Sequence, residues 1–424
     1  MTARSLGPVR LPAVDRNGRL ILAAKAARAF AFGLNSVALG LYLADVGLDG
    51  PAIGLILAGA LAGTMVLTLV ITLVGDRVGR RRILVWGSLL MLLALAIPLA
   101  GGAPAVLAVI GLSGMVAVTS NESTGLHSVD QAVLPQTVAD RDRTAAFGLY
   151  SLVAFAGSAV GAAALGPSVA LGELLGLVGP DRYVPAFAVY AASGLVAAAL
   201  AAGLDARAET GEPVERGFAI RRSRPVVARL SGLFAIDSFA GGLVVQSFLA
   251  FWFATRFGLQ PAAIGGLFFA GSLLGAASFP VAVRLAARIG LIRTMVFTHI
   301  PSSLLLIAMA LVPATAVPLA ASLYLARSLL SSMDVPTRQS YVMAVVDPSE
   351  RTATAGVTSL ARSAAQTIGP LAGGLLIAPW GIGAPLIACG VLKIGYDVLL
   401  FAAFRASPAP GESDLRAAGG PAAF

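Results

Sequence analysis

The chain has 424 residues, of which 57% are hydrophobic and only 12% charged, with a formal net charge of +9 and a mean hydropathy of +0.86. A soluble protein carries about a quarter charged residues, so this composition excludes an ordinary water-soluble enzyme. The apolar residues form blocks long enough to cross a bilayer as helices, without the period-two alternation of barrel strands. The sequence therefore predicts an all-α, multi-pass membrane protein.

Twelve predicted membrane spans follow one another along the chain. Numbered 1 to 12 in chain order, they cover 20–45, 51–74, 83–101, 104–133, 144–168, 184–204, 226–255, 261–284, 291–312, 316–338, 355–378 and 383–405. The longest polar interruption follows span 6 and divides the chain into two halves. The predicted organisation is a tail 1–18, a first bundle 19–204, a linker 205–225, a second bundle 226–405 and a tail 406–424.

The basic residues predict which side of the membrane each loop faces. If both termini are cytoplasmic, the inside segments hold most of the 30 Lys and Arg residues, and the outside loops hold only Arg182 and Arg256. This asymmetry is the positive-inside pattern. It predicts a protein of the cytoplasmic (inner) membrane with both termini inside, and it explains the positive charge without a nucleic-acid partner.

The two predicted bundles resemble each other in sequence. Internal repeats in a membrane protein indicate a binding site near the bilayer midplane, at the interface of the repeats. Three markers recur in the same order at an offset of 211 or 208 residues: 46–48 as 257–259, 75–82 as 286–293, and 142–145 as 350–353.

The stretch from Gly75 to Arg82 reads Gly-Asp-Arg-Val-Gly-Arg-Arg-Arg. It resembles the loop between helices 2 and 3 of the major facilitator superfamily, and the resemblance covers essentially the whole chain. It implies the fold of that family, with twelve transmembrane helices in two pseudo-symmetric six-helix bundles. It also implies a gating role on the cytoplasmic side for Asp76, Arg77, Gly79 and Arg80. Alternatively, the arginines act only as topology signals.

A second pattern of that family, glycines around a Gly-Pro pair in helix 5, marks many drug–proton antiporters. In this chain the better match, Gly369-Pro370 with Gly373-Gly374, lies in span 11. The sequence leaves open whether this match is an exporter signature or a tight packing surface.

Ionisable residues inside the spans indicate function, because they are costly in a bilayer. They concentrate on spans 1, 4, 7 and 10, which line the central cavity in the family that the chain resembles. Burial disfavours a charged carboxylate, which suits Glu122 or Asp237 to carry a proton; the alternative for Glu122 is a structural salt bridge with Arg327. The candidate substrate-binding or coupling residues are Glu122, Asp237, Arg327, Arg28, Asn35 and Gln246.

Asn35 and Gln246 are related by the offset of 211, so their amides are expected to bind a ligand or each other. A further group of charges lies toward the cytoplasmic ends of the spans. There, basic groups on span 1 are expected to meet Asp130 and Asp334 when the inside is closed, with Arg338 in the same inner gate. The alternative is snorkelling of long side chains to the membrane boundary.

Two other sets of residues are predicted to be structural. Lys393 and Asp397, four residues apart on span 12, are expected to neutralise each other. The aromatic residues Trp252, Phe253 and Phe257 are expected to form an interfacial belt at the outer end of span 7.

The sequence as a whole favours a secondary active transporter that moves a small organic solute by proton-coupled export, an antiport. An importer or facilitator of a small metabolite and a membrane-embedded protein without transport activity are the alternatives. No metal-ligand spacing and no Gly-rich phosphate loop is present, so neither an enzyme nor a bound metal or cofactor is expected. The expected partners are the solute, protons and the bilayer, and the expected state is a monomer.

Overall fold

The computed structural model describes residues 13–120, 124–139, 142–209, 220, 222–347 and 350–405. Within these residues helices lie in every predicted span, and there is no strand. Glu122 and the side chain of Asp76 lie outside the described part, so the roles predicted for them stay predictions.

The helices of the first half follow the predicted spans closely. Their bounds are Arg16–Val46 for span 1, Gly50–Val78 for span 2, Arg80–Leu89 with Leu90–Leu95 and Ala96–Leu99 for span 3, Pro104–Gly111 and Gly125–Val133 for span 4, Arg143–Ala163 and Leu165–Leu174 for span 5, and Gly179–Tyr183 with Val184–Ala202 for span 6.

The second half repeats this order. Its bounds are Arg224–Leu243 and Gln246–Phe257 for span 7, Pro261–Ile289 for span 8, Leu291–Ala310 for span 9, Val317–Ser331 and Asp334–Val345 for span 10, Arg351–Trp380 for span 11, and Ala384–Phe404 for span 12.

Nine helical stretches among the described residues are long and apolar enough to cross a membrane. They correspond to spans 1, 2, 3, 5, 6, 7, 8, 9 and 12, while spans 4 and 10 are each divided into two shorter helices. The class of helical membrane protein is thereby confirmed, and the count of twelve crossings stays a prediction.

Spans 4, 7 and 10 are interrupted near their middle. In span 7 the helix ends at Leu243, directly after the Gly241-Gly242 pair, and a new helix begins at Gln246. In span 4 the break contains Gly114, whose φ of +76° is a left-handed conformation that glycine adopts without strain. Such breaks free backbone groups at membrane depth, which is tolerated where protein or a cavity surrounds them.

The sequence repeat is also a repeat of backbone conformation. Gly47 and Gly258, at an offset of 211, end spans 1 and 7 with φ of +75° and +63°. Gly79 and Gly290, at the same offset, begin spans 3 and 9 with φ of +96° and +92°. The two halves are therefore pseudo-symmetric in structure as well as in sequence.

Among the described residues the two halves touch mainly along three helix pairs: span 2 with span 11, span 5 with span 8, and span 1 with span 7. We call the side that carries Arg16 and Phe404 the terminal side, and the other the distal side. The closest backbone approaches between the halves lie toward the distal side, where Gly54 faces the carbonyl of Pro370 and Gly374 faces that of Gly50. A Cβ atom at either glycine would collide with backbone, so these helices meet only because the side chains are absent.

The Gly-Pro pattern of span 11 forms this contact surface. Gly369 packs against Gly242 of span 7, and Gly374 packs against Gly50 and Gly54 of span 2. The pattern is therefore a tight packing surface in this structure, and its interpretation as an exporter signature stays a prediction.

Candidate functional site

A cavity of about 310 Å³ lies between the two halves. Thr119, Ser120, Phe155 and Ser158 line it from the first half, at the break in span 4 and along span 5. Spans 7, 8, 10 and 11 line it from the second half. The cavity has room for about ten water molecules at liquid density, within the size class of small-molecule sites.

Arg327 of span 10 lines this cavity and is the one charged residue in the described part of its wall. Its Nε is buried and has no hydrogen-bond partner among the described residues. The other polar groups of the wall are mainly hydroxyls and the amides of Gln246 and Gln366. Arg327, predicted as a substrate-binding or coupling residue, thus lies in the wall of the cavity.

Asp237 of span 7 lies at the centre of a buried ion cluster in the second half. Its Oδ1 is 2.5 Å from Nζ of Lys393, and its Oδ2 is 3.3 Å from Nη1 of Arg338. Arg338 is also 2.8 Å from Asp334. Since Asp237 is only 4% exposed, these cations compensate a charge that would otherwise be costly in the interior.

His299 and Asp397 complete this cluster. Nδ1 of His299 is 3.0 Å from Oδ2 of Asp397, and Nε2 is 3.9 Å from Oδ1 of Asp237. Nζ of Lys393 is 3.5 Å from the same Nε2. The imidazole thus lies between two carboxylates and an ammonium group, in a position to exchange protons with its neighbours.

The prediction that Lys393 and Asp397 neutralise each other on a peripheral helix is wrong. Lys393 pairs with Asp237 of span 7, and Asp397 pairs with His299 of span 9. Each side chain finds a partner on another helix because span 12 packs against spans 7 and 9. Sequence reasoning did not predict Lys393, Asp397 or His299 as members of a site. The signal available for the first two was a lysine and an aspartate on one helical face within an apolar block.

The first half contains a corresponding polar cluster. Arg28 of span 1 forms an ion pair with Asp130 of span 4, and both side chains are fully buried. Tyr150 of span 5 donates to Oδ2 of Asp130 at 2.9 Å, and Nδ1 of His127 is 2.9 Å from the same hydroxyl. Nζ of Lys25 lies 5.0 Å from the centre of the Tyr150 ring.

The structure brings some members of the predicted inner gate together. Arg28 meets Asp130, whereas Asp334 pairs with Arg338 of its own span rather than with span 1. All of these contacts are within one half. The predicted contact between span 1 and Asp334 belongs to a state closed on the terminal side, so it stays a prediction.

The two predicted amides do not bind each other. Asn35 is fully buried and donates to the carbonyl of Ala117, in the break of span 4. Gln246 lines the cavity and donates to Oγ of Ser36 at 3.0 Å. Ser247 donates through Oγ to the carbonyl of Ser36, so these residues join spans 1 and 7 across the interface.

The loop between spans 2 and 3 is organised around Glu209. This carboxylate accepts hydrogen bonds from the backbone N–H groups of Arg80 and Arg81, at 2.7 and 3.0 Å, at the start of span 3. An acid is favoured there by the free N–H groups and the dipole of the helix. Arg77, Gly79 and Arg81 line a surface pocket beside it, whose described lining residues come from the first bundle and the linker, and the gating role predicted for this loop stays a prediction.

The prediction of an interfacial aromatic belt on span 7 is wrong. Trp252 and Phe253 are 0% exposed and pack with Phe257, Phe268 and Tyr324 in the interior. They form the core between spans 7, 8 and 10, next to the cavity wall.

These features are those of a helical membrane transporter with a central cavity between two repeats. The family model of the Major Facilitator Superfamily matches residues 21–333. The chain therefore belongs to the major facilitator superfamily.

Solved transporters share this fold at low sequence identity. A bacterial homologue of the human lysosomal transporter Spinster, in an inward-facing and occupied conformation, has a TM-score of 0.71 and 16% identity, over 91% of this chain and 96% of that one. A D-xylose–proton symporter has a TM-score of 0.70 and 11% identity, over 93% and 99%. An auto-inhibited peptide transporter of the POT family has a TM-score of 0.71 and 15% identity, over 92% and 97%.

The chain is also similar to a protein of Saccharomyces cerevisiae described as the uncharacterized membrane protein YJR124C. The two are 25% identical over 437 residues, which cover 93% of this chain and 96% of the yeast protein. The family and the shared fold identify the chain as a multi-pass membrane transporter, which moves a small molecule.

Proposed function

We propose that the chain is a secondary active transporter that moves a small organic solute across the cytoplasmic membrane by alternating access, coupled to protons and directed to export. It acts as a monomer with both termini in the cytoplasm. The two bundles, 19–204 and 226–405, are the bodies that move. The observation that carries this proposal is the cavity, which lies between the bundles and is lined by both of them.

The packing between the bundles supports alternating access. On the distal side the bundles meet through glycines at Gly40, Gly54 and Gly374, where flat backbone surfaces touch. Such surfaces can separate without breaking ion pairs, because the buried ion pairs described above all lie within one bundle. Rocking of the bundles about the cavity would open the distal side and close the terminal side.

The second-half cluster is the proposed coupling site. Asp237 lies four residues before Gly241 on span 7, and Gly241 lines the cavity, so about 6 Å of helix separates the two. Arg362 donates to Ser238 at 3.0 Å and lies four residues before Gln366, another residue of the wall. A change of charge in the cluster therefore acts on helices that shape the cavity.

A proton on the cluster would change its pairing. His299 faces Asp237, Asp397 and Lys393, with the ring of Tyr396 beside it and Arg338 beyond Asp237. If the imidazole of His299 takes up a proton, the bond between Asp237 and Lys393 weakens, because Asp237 gains a further cationic neighbour that competes with Lys393. Lys393 lies next to Gly241, so its release would reach the cavity wall.

Transport in proteoliposomes tests the proposal. The purified protein is reconstituted with an entrapped pH-sensitive dye, and solutes are added under an imposed pH gradient. We expect solute movement to be accompanied by proton movement, and we expect His299→Gln to abolish this coupling while exchange of solute without a gradient continues. The direction of transport is determined from the orientation of the pH gradient that drives solute movement. We expect the solute to move away from the side of the membrane that carries the termini.

Controls decide between the alternatives. Arg284→Gln changes an exposed arginine on span 8 and is expected to leave coupled transport unchanged. Solute flux that is independent of the pH gradient in the unsubstituted protein would identify a facilitator, and accumulation toward the side of the termini would identify an importer. Absence of flux for every solute that binds would contradict a transport function.

A further inference from the structure

The described part of the cavity wall carries a positive charge that no negative charge balances. Arg327 is its one charged residue in the described part of the wall, and no carboxylate among the described residues lies within ion-pair distance of it. Its buried Nε has no hydrogen-bond partner among the described residues. Arg327 is otherwise only partly buried, and a guanidinium group that has neither a carboxylate nor a full set of hydrogen bonds is suited to a ligand that supplies both.

The acids nearest in the fold are already compensated. Asp237 is held by Lys393 and Arg338, and Asp334 is held by Arg338. Asp397 binds His299. None of these acids lines the cavity, so among the described residues the wall presents a positive charge to whatever enters.

The hydroxyl groups of the wall add a second requirement. Ser158 donates its hydroxyl hydrogen to the carbonyl of Ser120, Ser328 donates to that of Tyr324, and Ser332 donates to that of Ser328. A serine hydroxyl has one hydrogen and two lone pairs. These three residues line the cavity, and their hydroxyl oxygens keep lone pairs that can accept hydrogen bonds, which matches a solute that brings hydroxyl hydrogens of its own.

We infer that the cavity binds a polyhydroxylated organic anion, whose oxyanion pairs with Arg327 and whose hydroxyl groups donate to Ser158, Ser328 and Ser332. The inference rests on the proposed function, because it takes this cavity as the transport site. The planar guanidinium group accommodates a carboxylate or a phosphate ester in the same bidentate way. Sugar acids and sugar phosphates are thus the two sources of this shared chemistry.

Thermal shifts of the purified protein separate charge from hydroxylation. Four probes of similar length are compared: gluconate carries both features, sorbitol only the hydroxyls, hexanoate only the negative charge, and glucosamine hydroxyls with a positive charge. Glucose 6-phosphate is the fifth probe and represents the phosphate source. We expect gluconate or glucose 6-phosphate to raise Tm, because a ligand that binds the folded state stabilises it, and we expect the other three to have little effect.

Substitutions then assign the effect to Arg327. Arg327→Gln should weaken the binding of the stabilising anion by about tenfold to a hundredfold, the range for losing hydrogen bonds to a charged group. Arg327→Lys should restore part of the affinity, because it keeps the charge but not the planar fork. Arg284→Gln, an exposed arginine on span 8, should leave the shift unchanged.

A measurement without ligand keeps the inference testable whichever probe binds. Removing an uncompensated charge should raise the Tm of the empty protein in Arg327→Gln, whereas Lys393→Gln, which removes a paired cation, should lower it. A loss of stability in Arg327→Gln as large as that in Lys393→Gln would make Arg327 a structural residue and overturn the inference. The inference would also be overturned if only sorbitol, glucosamine or hexanoate raised Tm, or if no probe raised it. The same holds if the anion raised the Tm of Arg327→Gln as much as that of the unsubstituted protein.

The experiments distinguish a failure of the binding inference from a failure of the proposed transport function. An anion that stabilises the protein through Arg327 but does not cross proteoliposomes would contradict the proposed function and leave the binding inference intact. Transport of sorbitol or glucosamine, with no movement of gluconate or glucose 6-phosphate, would support the proposed function and overturn the inference.

Discussion

At the scale of single residues, the chain places opposite charges in the membrane interior and pairs them. Arg28 and Asp130 are both fully buried, and so is most of the Asp237 cluster. Desolvation makes such pairs poor sources of net stability, but the loss of one partner leaves the other charge uncompensated. Their main contribution is therefore to keep the helices of a bundle in one arrangement.

A buried pair of this kind should respond to single and double substitution differently. Asp130→Asn is expected to destabilise the protein by about 3–5 kcal/mol, because the buried ion pair between Arg28 and Asp130 loses one of its two charges. The double variant Arg28→Gln with Asp130→Asn should recover most of that loss. Thermal unfolding in detergent measures both, and a double variant less stable than Asp130→Asn would contradict the argument.

The matched control is an exposed ion pair. Nη1 of Arg222 is 3.4 Å from Asp347, and the Arg222 side chain is 85% exposed. Arg222→Gln should therefore change the free energy of unfolding by only about 0–1 kcal/mol.

Sequence reasoning predicted which residues carry charge at membrane depth but not how they pair. Arg327 and Asp237 were predicted as substrate-binding or coupling residues, and the structure places Arg327 in the cavity wall and Asp237 in the ion cluster beside it. Local spacing suggested a pair between Lys393 and Asp397, because helical periodicity reveals only neighbours on the same helix. Their actual partners, Asp237 and His299, depend on the packing of three helices, which one sequence does not reveal.

At the scale of helices, small residues determine how the two bundles meet. Gly50 and Gly54 of span 2 face Pro370 and Gly374 of span 11 through backbone. The glycine pattern was visible in the sequence, but its partner surface was not, since close packing and an exporter signature require the same residues. The breaks in spans 4, 7 and 10 were only partly predictable. Span 7 breaks directly after its Gly241-Gly242 pair, and two adjacent glycines are a weak point in a helix that can be recognised from sequence.

Gly374→Ala is expected to weaken the distal contact, because a Cβ atom there would collide with the carbonyl of Gly50. The protein should shift toward the state that is open on the distal side. In a background with Cys389→Ala, which removes the only cysteine of the chain, a reporter Ile53→Cys should become more reactive toward a water-soluble maleimide. Ile53 is 0% exposed in the present state.

The control is Gly266→Ala on span 8, where an added Cβ atom has no neighbour within 4 Å. This variant should leave the reactivity of the reporter unchanged, and Ser332→Cys in the cavity should become less reactive in Gly374→Ala. Equal reactivity of both reporters in both variants would show that the distal glycines do not hold the present state.

At the scale of the whole molecule, the two halves are repeats in which the positive and negative members of the buried ion pairs have exchanged places. In the first half a cation on span 1, Arg28, pairs with an acid on span 4, Asp130. In the second half an acid on span 7, Asp237, pairs with a cation on span 10, Arg338, and Asp130 and Arg338 are related by the offset of 208. If the terminal ends of the halves approach each other, opposite charges face each other across the interface, which would favour a closed state on that side.

Composition, span order and the repeat were enough to predict this architecture, because hydropathy and helix length are properties of local sequence. The cavity and its neighbours were not predictable in detail. Glu122, the carboxylate that the sequence analysis placed at the centre, lies outside the described residues, and Arg327 has no acid partner among them. The charge balance of the site depends on which acids are already paired, and this follows only from the fold.

The central claim is that the two bundles rock about the cavity, and paired spin labels test it most directly. One pair, at Leu174 and Leu311, reports the distal side; the other, at Arg82 and Arg293, reports the terminal side, and all four residues are exposed. On a change from mildly alkaline to mildly acidic pH in lipid nanodiscs, the account predicts that the two distances change in opposite directions, one lengthening as the other shortens. Two distances that stay fixed, or that change in the same direction, would contradict it.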